Sequence, residues 1–144
     1  MSFEGKVVTV FGGTGFIGRQ VVRNLANLGM TIKIGTREPQ RAYFLQPCGT
    51  VGQITPFIVD YQNRHVLENV IGQSDYVVNC IGILQERHKG DFDRLHTRLP
   101  GEIASIARAA GTKRFVHISA LVGENSRARY ARSKRAGEEA VRAA

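Results

Sequence analysis

Two residues towards the end of the chain, Tyr130 and Lys134, have the types and the spacing of an acid/base pair. Residues four apart share one face of a helix, so the ammonium group of Lys134 can lie beside the phenol of Tyr130. A positive charge next to a phenol favours its ionised form, which makes the tyrosine a candidate proton donor and acceptor. Since this spacing also arises by chance in basic helices, its meaning depends on what the fold places beside it.

A glycine-rich segment near the start of the chain is the second candidate site. The strand-like run 7–11 leads into three spaced glycines, and a segment with helical periodicity follows. Glycine leaves room for a diphosphate at the turn, and the amide groups at the helix N-terminus face that anion. A strand, this spacing and a helix in that order predict a dinucleotide-binding loop. Its expected cofactor contacts are Gly12, Thr14, Gly15, Phe16, Ile17 and Gly18.

The residue after the second predicted strand indicates which dinucleotide is preferred. At this position an acid bonds the ribose 2′-hydroxyl of NAD, whereas an arginine accommodates the 2′-phosphate of NADP. Arg37 follows the predicted strand 31–35, and Arg41 lies one helical turn further on. We therefore expect NADP(H) to be favoured over NAD(H). A solvated loop arginine is the alternative interpretation of Arg37.

The ends of the third and fourth predicted strands supply the remaining cofactor contacts. Asp60 and Tyr61 close the third strand, where the adenine ring is expected, although a hydrated strand end explains the carboxylate equally well. Cys80, Ile81 and Gly82 follow the fourth strand and are expected beneath the ribose on the nicotinamide side. Glycine at the last of these positions permits a close backbone approach.

Strands and helices alternate along the whole chain, which predicts an α/β fold, a Rossmann-type doubly wound parallel sheet. We expect residues 1–144 to form one NAD(P)-binding domain. Because the last helix reaches Ala144 without a cap or breaker, we expect the N-terminal part of a longer chain, truncated before a smaller C-terminal substrate domain. The predicted strands are 7–11, 31–35, 54–59, 76–80 and 114–119; the predicted helices are 17–28, 40–45, 66–71, 92–110 and 130–144; a mobile loop is predicted at 85–91.

Charge and composition narrow the classes of function. The 144 residues carry a formal net charge of +8, part of it concentrated between Arg127 and Arg135. Because no nucleic-acid recognition motif accompanies this charge, an anionic cofactor, a partner protein or a membrane surface is the favoured target. No apolar run approaches the ~20 residues of a bilayer span. Two distant cysteines indicate a reducing compartment, and the four histidines share no spacing suited to a metal ion, so none is expected.

Together these motifs resemble the atypical short-chain dehydrogenases/reductases, often described as NAD-dependent epimerase/dehydratase-like. More specifically, the chain is similar to the nucleotide-binding accessory subunits of respiratory complex I and their bacterial relatives. That resemblance implies a tightly held NADPH that supports structure and assembly, without a firmly assigned turnover. It covers nearly the whole chain and is most specific at 8–18, 45–47, 51–54, 78–84, 116–120 and 130–138.

The chain departs from the active enzymes of this family at two places. Those enzymes have a serine or threonine after the fifth strand that orients the substrate carbonyl near the tyrosine. Alignment of the strands puts Ala120 there, one residue beyond Ser119. Their helical asparagine also has no clear counterpart, since residues 95–98 read Leu-His-Thr-Arg. Without a second hydroxyl, the site lacks a means of orienting a substrate.

The favoured hypothesis is therefore a non-catalytic NADP(H)-binding subunit that docks on complex I. It would lie in the bacterial cytoplasm, peripheral to the membrane, or on the matrix side of a mitochondrion. The alternative is an active NAD(P)-dependent reductase or sugar-nucleotide epimerase/dehydratase. In that case Tyr130, Lys134 and Ser119 would be catalytic, and Tyr130 and Lys134 would also bind the cofactor. A redox-sensing regulator is a third, less favoured class.

Overall fold

Five short strands form one parallel sheet in the computed structural model, which describes residues 2–144. They pair in the order β3-β2-β1-β4-β5, and all four pairs are parallel. Strands β2 and β3 lie on one side of β1, and the chain then crosses over to place β4 and β5 on the other side. In such sheets a crevice opens outside the carboxyl ends of the strands at this switch point. The strands are β1 (Val7–Phe11), β2 (Thr31–Thr36), β3 (Ile54–Ile58), β4 (Tyr76–Asn79) and β5 (Arg114–His117).

The helices pack on the two faces of the sheet through two separate apolar clusters, as the alternation of strands and helices predicts. Successive strand residues point to opposite faces, so Val10 joins the cluster that contains Val22 of α1, whereas Phe11 joins the cluster that contains Leu67 of α2 and Ile103 of α3. This confirms the doubly wound α/β fold. The helices are α1 (Phe16–Asn27), α2 (Arg64–Ile71), α3 (Leu99–Ala109) and α4 (Arg129–Ala143).

Two further stretches are helical without being α-helices. Pro39–Cys48 forms a 3₁₀ helix, where the sequence predicts a short helix over 40–45 followed by a turn. Asp93–Arg98 is a π-helical segment that leads directly into α3, inside the single helix predicted for 92–110. Pro100 provides a physical reason for the second, because it has no amide hydrogen to donate to the carbonyl four residues earlier.

All five strands begin where the sequence predicts and β1 also ends there, whereas the other four end one or two residues from the predicted position. Most relevant to the site, β4 ends at Asn79 and β5 at His117, so Cys80 and Ser119 lie in the loops that follow. Helix α2 begins at Arg64, before its first apolar residue, because the side chain of Asn63 accepts hydrogen bonds from two first-turn amides. Among the helices of residues 2–144, none combines the length and hydrophobicity needed to span a bilayer.

Candidate functional site

The turn between β1 and α1 needs glycine at two positions for reasons internal to the protein. Gly12 has a φ of +74°, and a Cβ on it would lie 2.7 Å from the backbone of Cys80 and Ile81. A Cβ on Gly18 would lie 2.0 Å from the carbonyl oxygen of Gly12, so α1 can pack this closely only with glycine there. By contrast, a Cβ on Gly15 would meet no protein atom nearer than 3.5 Å. The space at Gly15 is therefore open.

That open space lies at the N-terminus of α1. Gly15 precedes the helix, and no side chain caps its first amides. Phe16 and Ile17 at the start of the helix are largely exposed, and the first turn has no acidic residue. Uncapped amides and the positive end of the helix dipole make this a site for an anion.

Arg19 holds the carbonyl groups of the same loop. Its Nε donates to the carbonyl oxygen of Gly15 at 3.2 Å, and its Nη2 donates to that of Thr14 at 2.9 Å. The guanidinium lies 5.2 Å from the centre of the Phe44 ring, which adds a cation–π contact from the 3₁₀ helix. Arg19 thus binds two carbonyl acceptors of the loop and fixes its shape before α1.

A cleft of about 230 Å³ crosses the carboxyl ends of the strands, from the glycine loop towards β2 and β4. It brings together predicted cofactor contacts from four separate loops. Phe16, Ile17, Gly18, Asp60, Tyr130 and Lys134 are not part of its lining. The predicted residues that do line it are Gly12, Thr14, Gly15, Arg37, Tyr61, Cys80, Ile81 and Gly82.

At the β2 end of the cleft, Arg37 is exposed and follows the strand directly. Arg41 is engaged in an ion pair with Glu38. The Tyr61 hydroxyl donates to the carbonyl of Gly35 at 3.5 Å. Burial raises the pKa of Tyr61 to about 12 against the opposing effect of the Arg37 charge, so the phenol is neutral. Arg37 is therefore the positive group that this end presents.

Asp60 has a local structural partner. Its Oδ1 accepts a hydrogen bond from the amide of Gln62 at 2.9 Å, which shapes the turn after β3. The carboxylate is exposed and lines a neighbouring cavity together with Arg37 and Tyr61. Its contact with adenine thus stays a prediction, beside this turn-forming role.

The loop after β4 forms the floor of the cleft. The amide of Cys80 donates to the carbonyl of Phe11 at 2.8 Å, and the amide of Ile81 donates to the side chain of Asn79 at 3.2 Å. Burial raises the pKa of the Cys80 thiol to about 11, so this cysteine is not an activated nucleophile. A Cβ on Gly82 would lie 3.8 Å from Lys134 Nζ, so the floor ends beside the lysine of α4.

The candidate acid/base pair lies on α4, as predicted. Lys134 is only 4% exposed, and its Nζ donates to the carbonyl of Ile118 at 3.4 Å. Burial lowers the pKa of its ammonium, while the Glu138 charge acts in the opposite direction. The Tyr130 ring packs edge-on against Phe92, with centroids 5.9 Å apart. The structure thus places Lys134 beside the cleft and packs Tyr130 against the neighbouring helical segment.

The end of β5 and the loop that follows it each contain one enclosed polar atom. Within residues 2–144, neither Ser119 Oγ nor His117 Nε2 has a hydrogen-bond partner. His117 Nδ1 lies 3.1 Å from the amide nitrogen of Asn79, which can donate to it and leaves the ring proton on Nε2. Burial lowers the pKa of His117, and the charge of Lys134 adds to this effect. The Ser119 hydroxyl is therefore enclosed by the protein and is not presented to solvent.

His96 belongs to the site, although sequence reasoning did not assign it. Its ring is fully buried and stacks on Phe92. Nε2 accepts the amide hydrogen of Ile83 at 3.0 Å, so in the neutral ring the proton lies on Nδ1, 2.9 Å from Ser133 Oγ. Ser133 in turn donates to the carbonyl of Tyr130 at 2.8 Å. One side chain thus ties the floor of the cleft to the helix that carries Tyr130.

The π-helical segment positions His96. His96 lies within residues 95–98, the stretch that corresponds to the helical asparagine of the family's active enzymes. Burial, together with the Lys134 charge, lowers the pKa of His96 to about 4, so it acts as a neutral linker. Its carbonyl packs against α4, where a Cβ on Gly137 would lie 1.8 Å from the oxygen. Pro100 is the sequence signal for this irregular helix, because a proline cannot donate a hydrogen bond to the carbonyl of His96, four residues earlier.

Part of the basic stretch at the start of α4 has structural partners. Arg129 pairs with Glu86 at 3.3 Å, and Arg135 donates to the carbonyls of Gly123 and Ser126. These contacts hold the loop before α4, and the ion pair with Glu86 offsets one of the positive charges. Residues 2–144 contain no group of three or more His, Cys, Asp or Glu side chains that could hold a metal ion.

A family comparison bears on this geometry. The model described as the NAD dependent epimerase/dehydratase family matches residues 8–144. The chain belongs to this family. Because the family binds a dinucleotide cofactor, membership agrees with the prediction of a dinucleotide in the cleft over the glycine loop. The resemblance inferred from the sequence motifs is thereby confirmed.

Individual relatives match nearly all of this chain but less than half of their own length. NADH dehydrogenase (ubiquinone) 1 alpha subcomplex subunit 9 of Mus musculus is 35% identical over 143 residues, which cover 98% of this chain and 38% of the relative. A ceramide reductase of Caulobacter vibrioides is 33% identical over 139 residues, covering 96% of this chain and 42% of the relative. The crystal structure of Pen from Bacillus thuringiensis has a TM-score of 0.86 at 20% identity, covering 96% of this chain and 46% of Pen, which shows the fold alone.

Proposed function

We propose that this chain is an NADP(H)-binding domain of a non-catalytic accessory or assembly subunit associated with respiratory complex I. The cofactor part of the proposal depends on Arg37. This arginine lines the cleft directly after β2, where an acid would instead favour NAD. The nearest acid along the chain, Glu38, is engaged by Arg41. A 2′-phosphate would therefore meet a cation at this end of the cleft.

The enclosed hydroxyl of Ser119 is the observation that carries the non-catalytic role. A carbonyl substrate in this family needs a hydroxyl beside the tyrosine, and Ala120 supplies none. The Ser119 hydroxyl is inaccessible to solvent and has no partner within residues 2–144. Cofactor can thus bind in the cleft while a substrate lacks a group that would orient it.

The association with complex I is supported by similarity. The mouse relative, whose name assigns it to NADH dehydrogenase (ubiquinone), aligns with 98% of this chain. Docking on that complex would place the domain on the matrix or cytoplasmic side, peripheral to the membrane. The exposed arginines of the α4 region offer charge for such a contact.

An active NAD(P)-dependent reductase or epimerase/dehydratase is the second candidate. Lys134 favours it, because its buried ammonium lies beside Gly82, at the edge of the cleft, and shares α4 with Tyr130. The similarity to a ceramide reductase points the same way. In this mechanism Lys134 would orient a ribose hydroxyl, and the Tyr130 phenol would exchange a proton with the substrate.

One experiment on the full chain separates the two candidates. The protein is purified under native conditions, and released nucleotides are identified by mass spectrometry. The protein with its bound NADPH is then mixed with candidate carbonyl compounds, and oxidation of the NADPH is followed by its absorbance. We expect NADPH to be retained and to stay reduced. Oxidation that disappears in Tyr130→Phe would show that the chain is an enzyme.

A second measurement addresses the partner. The tagged full chain is recovered from solubilised membranes of its own cells, and complex I subunits are quantified by mass spectrometry. We expect more complex I subunits with this chain than with a control, an unrelated tagged domain of equal net charge. The absence of enrichment, with NADPH still bound, would refute the accessory role and leave the cofactor assignment intact.

A further inference from the structure

A second cavity of about 430 Å³ adjoins the nucleotide cleft. Arg37 and Tyr61 line both spaces, so the cavity adjoins the cleft at its β2 end. On the side that the cleft does not share, its wall includes His88 and Lys89. These residues belong to the segment between β4 and the long helix, which the sequence predicts to be a mobile loop.

The structure holds this loop at its base. Asp91 Oδ2 accepts the amide hydrogens of Arg87 at 3.1 Å and of His88 at 2.9 Å. Glu86 Oε1 accepts the amide hydrogen of Phe92 at 3.1 Å. The hydrogen bonds that Asp91 accepts, first of all from the amide of His88, hold the pKa of its carboxyl below its usual range, so the contacts persist at neutral pH. The loop tip at Lys89 is therefore presented from a defined base.

The charges around the cavity do not cancel. Arg94 is paired with Asp91 at 3.0 Å, which satisfies both groups. The Asp60 carboxylate also lines the cavity, and the hydrogen bond that it accepts from the amide of Gln62 does not cancel its charge. Among residues 2–144, no carboxylate lies within ion-pair distance of Arg37 or Lys89. The lining therefore carries three cations, Arg37, Lys89 and Arg94, against the carboxylates of Asp60 and Asp91. Within residues 2–144, Arg37 and Lys89 form no ion pair, whereas Arg94 is held by Asp91.

A phosphomonoester fits these two cations. Such a group carries a charge of about −1.5 to −2 at neutral pH, more than one guanidinium neutralises. With the diphosphate on the α1 N-terminus, the adenosine end of a dinucleotide extends towards Arg37. The only further phosphate that a dinucleotide can place there is the 2′-phosphate of NADP. Arg41 is the weaker candidate for the second cation, because Glu38 already engages it.

We propose that Lys89, at the tip of the loop between β4 and the long helix, joins Arg37 in binding the 2′-phosphate of NADP(H). Lys89 is then a specificity-determining residue that acts across the cavity from the end of β2. The inference depends on the proposed binding of NADP(H). It adds a second phosphate-binding residue, on the loop after β4, to the arginine that follows β2.

The test compares two charge reversals in the same loop of the full chain. Lys89→Glu changes the residue that lines the cavity. Arg87→Glu changes an equally exposed cation two positions away that does not line it. Lys89→Arg and Lys89→Ala complete the series, and thermal melts of the nucleotide-free proteins check folding. Isothermal titration with NADPH and NADH gives the ratio of dissociation constants for each protein.

We expect Lys89→Glu to weaken NADPH binding about tenfold or more while NADH binding stays within twofold, since a charge-assisted contact contributes at least this much. Lys89→Arg should keep the preference, and Arg87→Glu should leave the ratio unchanged. Equal effects of the two charge reversals, or equal losses of NADPH and NADH in Lys89→Glu, would overturn the inference alone. Failure of the wild-type chain to bind either nucleotide would overturn the proposed function as well.

Discussion

Two alanine substitutions in the glycine loop should separate stability from cofactor binding. In Gly18→Ala, the new methyl group would lie 2.0 Å from the carbonyl oxygen of Gly12. An unstrained contact needs about 3.5 Å, so the loop and α1 must move apart by roughly 1.5 Å. Overpacking of this severity costs about 3 kcal/mol, which lowers the melting temperature by about 10 °C in a domain of this size.

Gly15→Ala should have the opposite profile. Gly15 has φ −74° and ψ 177°, which alanine adopts without strain, and its nearest protein neighbour would lie 3.5 Å away. Lower entropy of the unfolded chain favours alanine, whereas the helix N-cap position favours glycine. The net effect on stability should stay within about 1 kcal/mol. The methyl group would, however, occupy the open space before α1, and loss of one amide–phosphate contact weakens NADPH binding about tenfold to a hundredfold.

The assay pairs urea unfolding with isothermal titration. Unfolding is measured on nucleotide-free protein, because a bound ligand would add its own stabilisation. Titration with NADPH then gives the affinity of each folded variant. Wild-type affinity in Gly15→Ala would refute the placement of the diphosphate at the α1 N-terminus. Unchanged stability in Gly18→Ala would refute the close packing of helix and turn.

Three further substitutions test other contacts of the site. Arg37→Asp should raise the dissociation constant of NADPH relative to NADH by about tenfold, the loss expected for a charge-assisted contact, and an unchanged ratio in titration would refute its role. His96→Gln removes a buried group whose pKa is lowered from 6.5 to about 4. Between these pH values the unfolded chain binds the extra proton, so wild-type stability falls as the pH drops. The variant should flatten this slope in urea unfolding, and an identical slope would argue against a buried neutral ring. Gly137→Ala should cost about 3 kcal/mol, because its Cβ would lie 1.8 Å from the His96 carbonyl oxygen, and a variant as stable as the wild type would contradict that contact.

Rules that act between neighbours along the chain were sufficient for much of this protein. The spacing of glycines after an apolar run predicted the turn at Gly12, and the structure places a positive φ there. Alternation of strands and helices predicted the parallel sheet. Tyr130 and Lys134 share a helix because four residues make about one turn. Element ends were less predictable, since β5 stops two residues early and the side chain of Asn63 starts α2 ahead of its apolar face.

Contacts between distant segments could not be derived in this way. His96 meets Ser133 across 37 positions of sequence, and the proline four residues after the histidine does not identify that partner. The enclosure of Ser119 likewise depends on how α4 and the strands pack. Contacts between such distant side chains depend on the packing of all the helices and strands, because the rotation and position of each helix are fixed only by its neighbours.

The chain's own pattern therefore established a dinucleotide loop, a parallel sheet and a candidate acid/base helix, since each arises from short-range spacing. Three-dimensional packing established which cations remain unpaired, that Lys134 is buried beside the cleft floor, and that His96 joins that floor to α4. The physical reason is that charge pairing and burial depend on distances in space. Residues far apart in sequence acquire those distances only when the core closes around them.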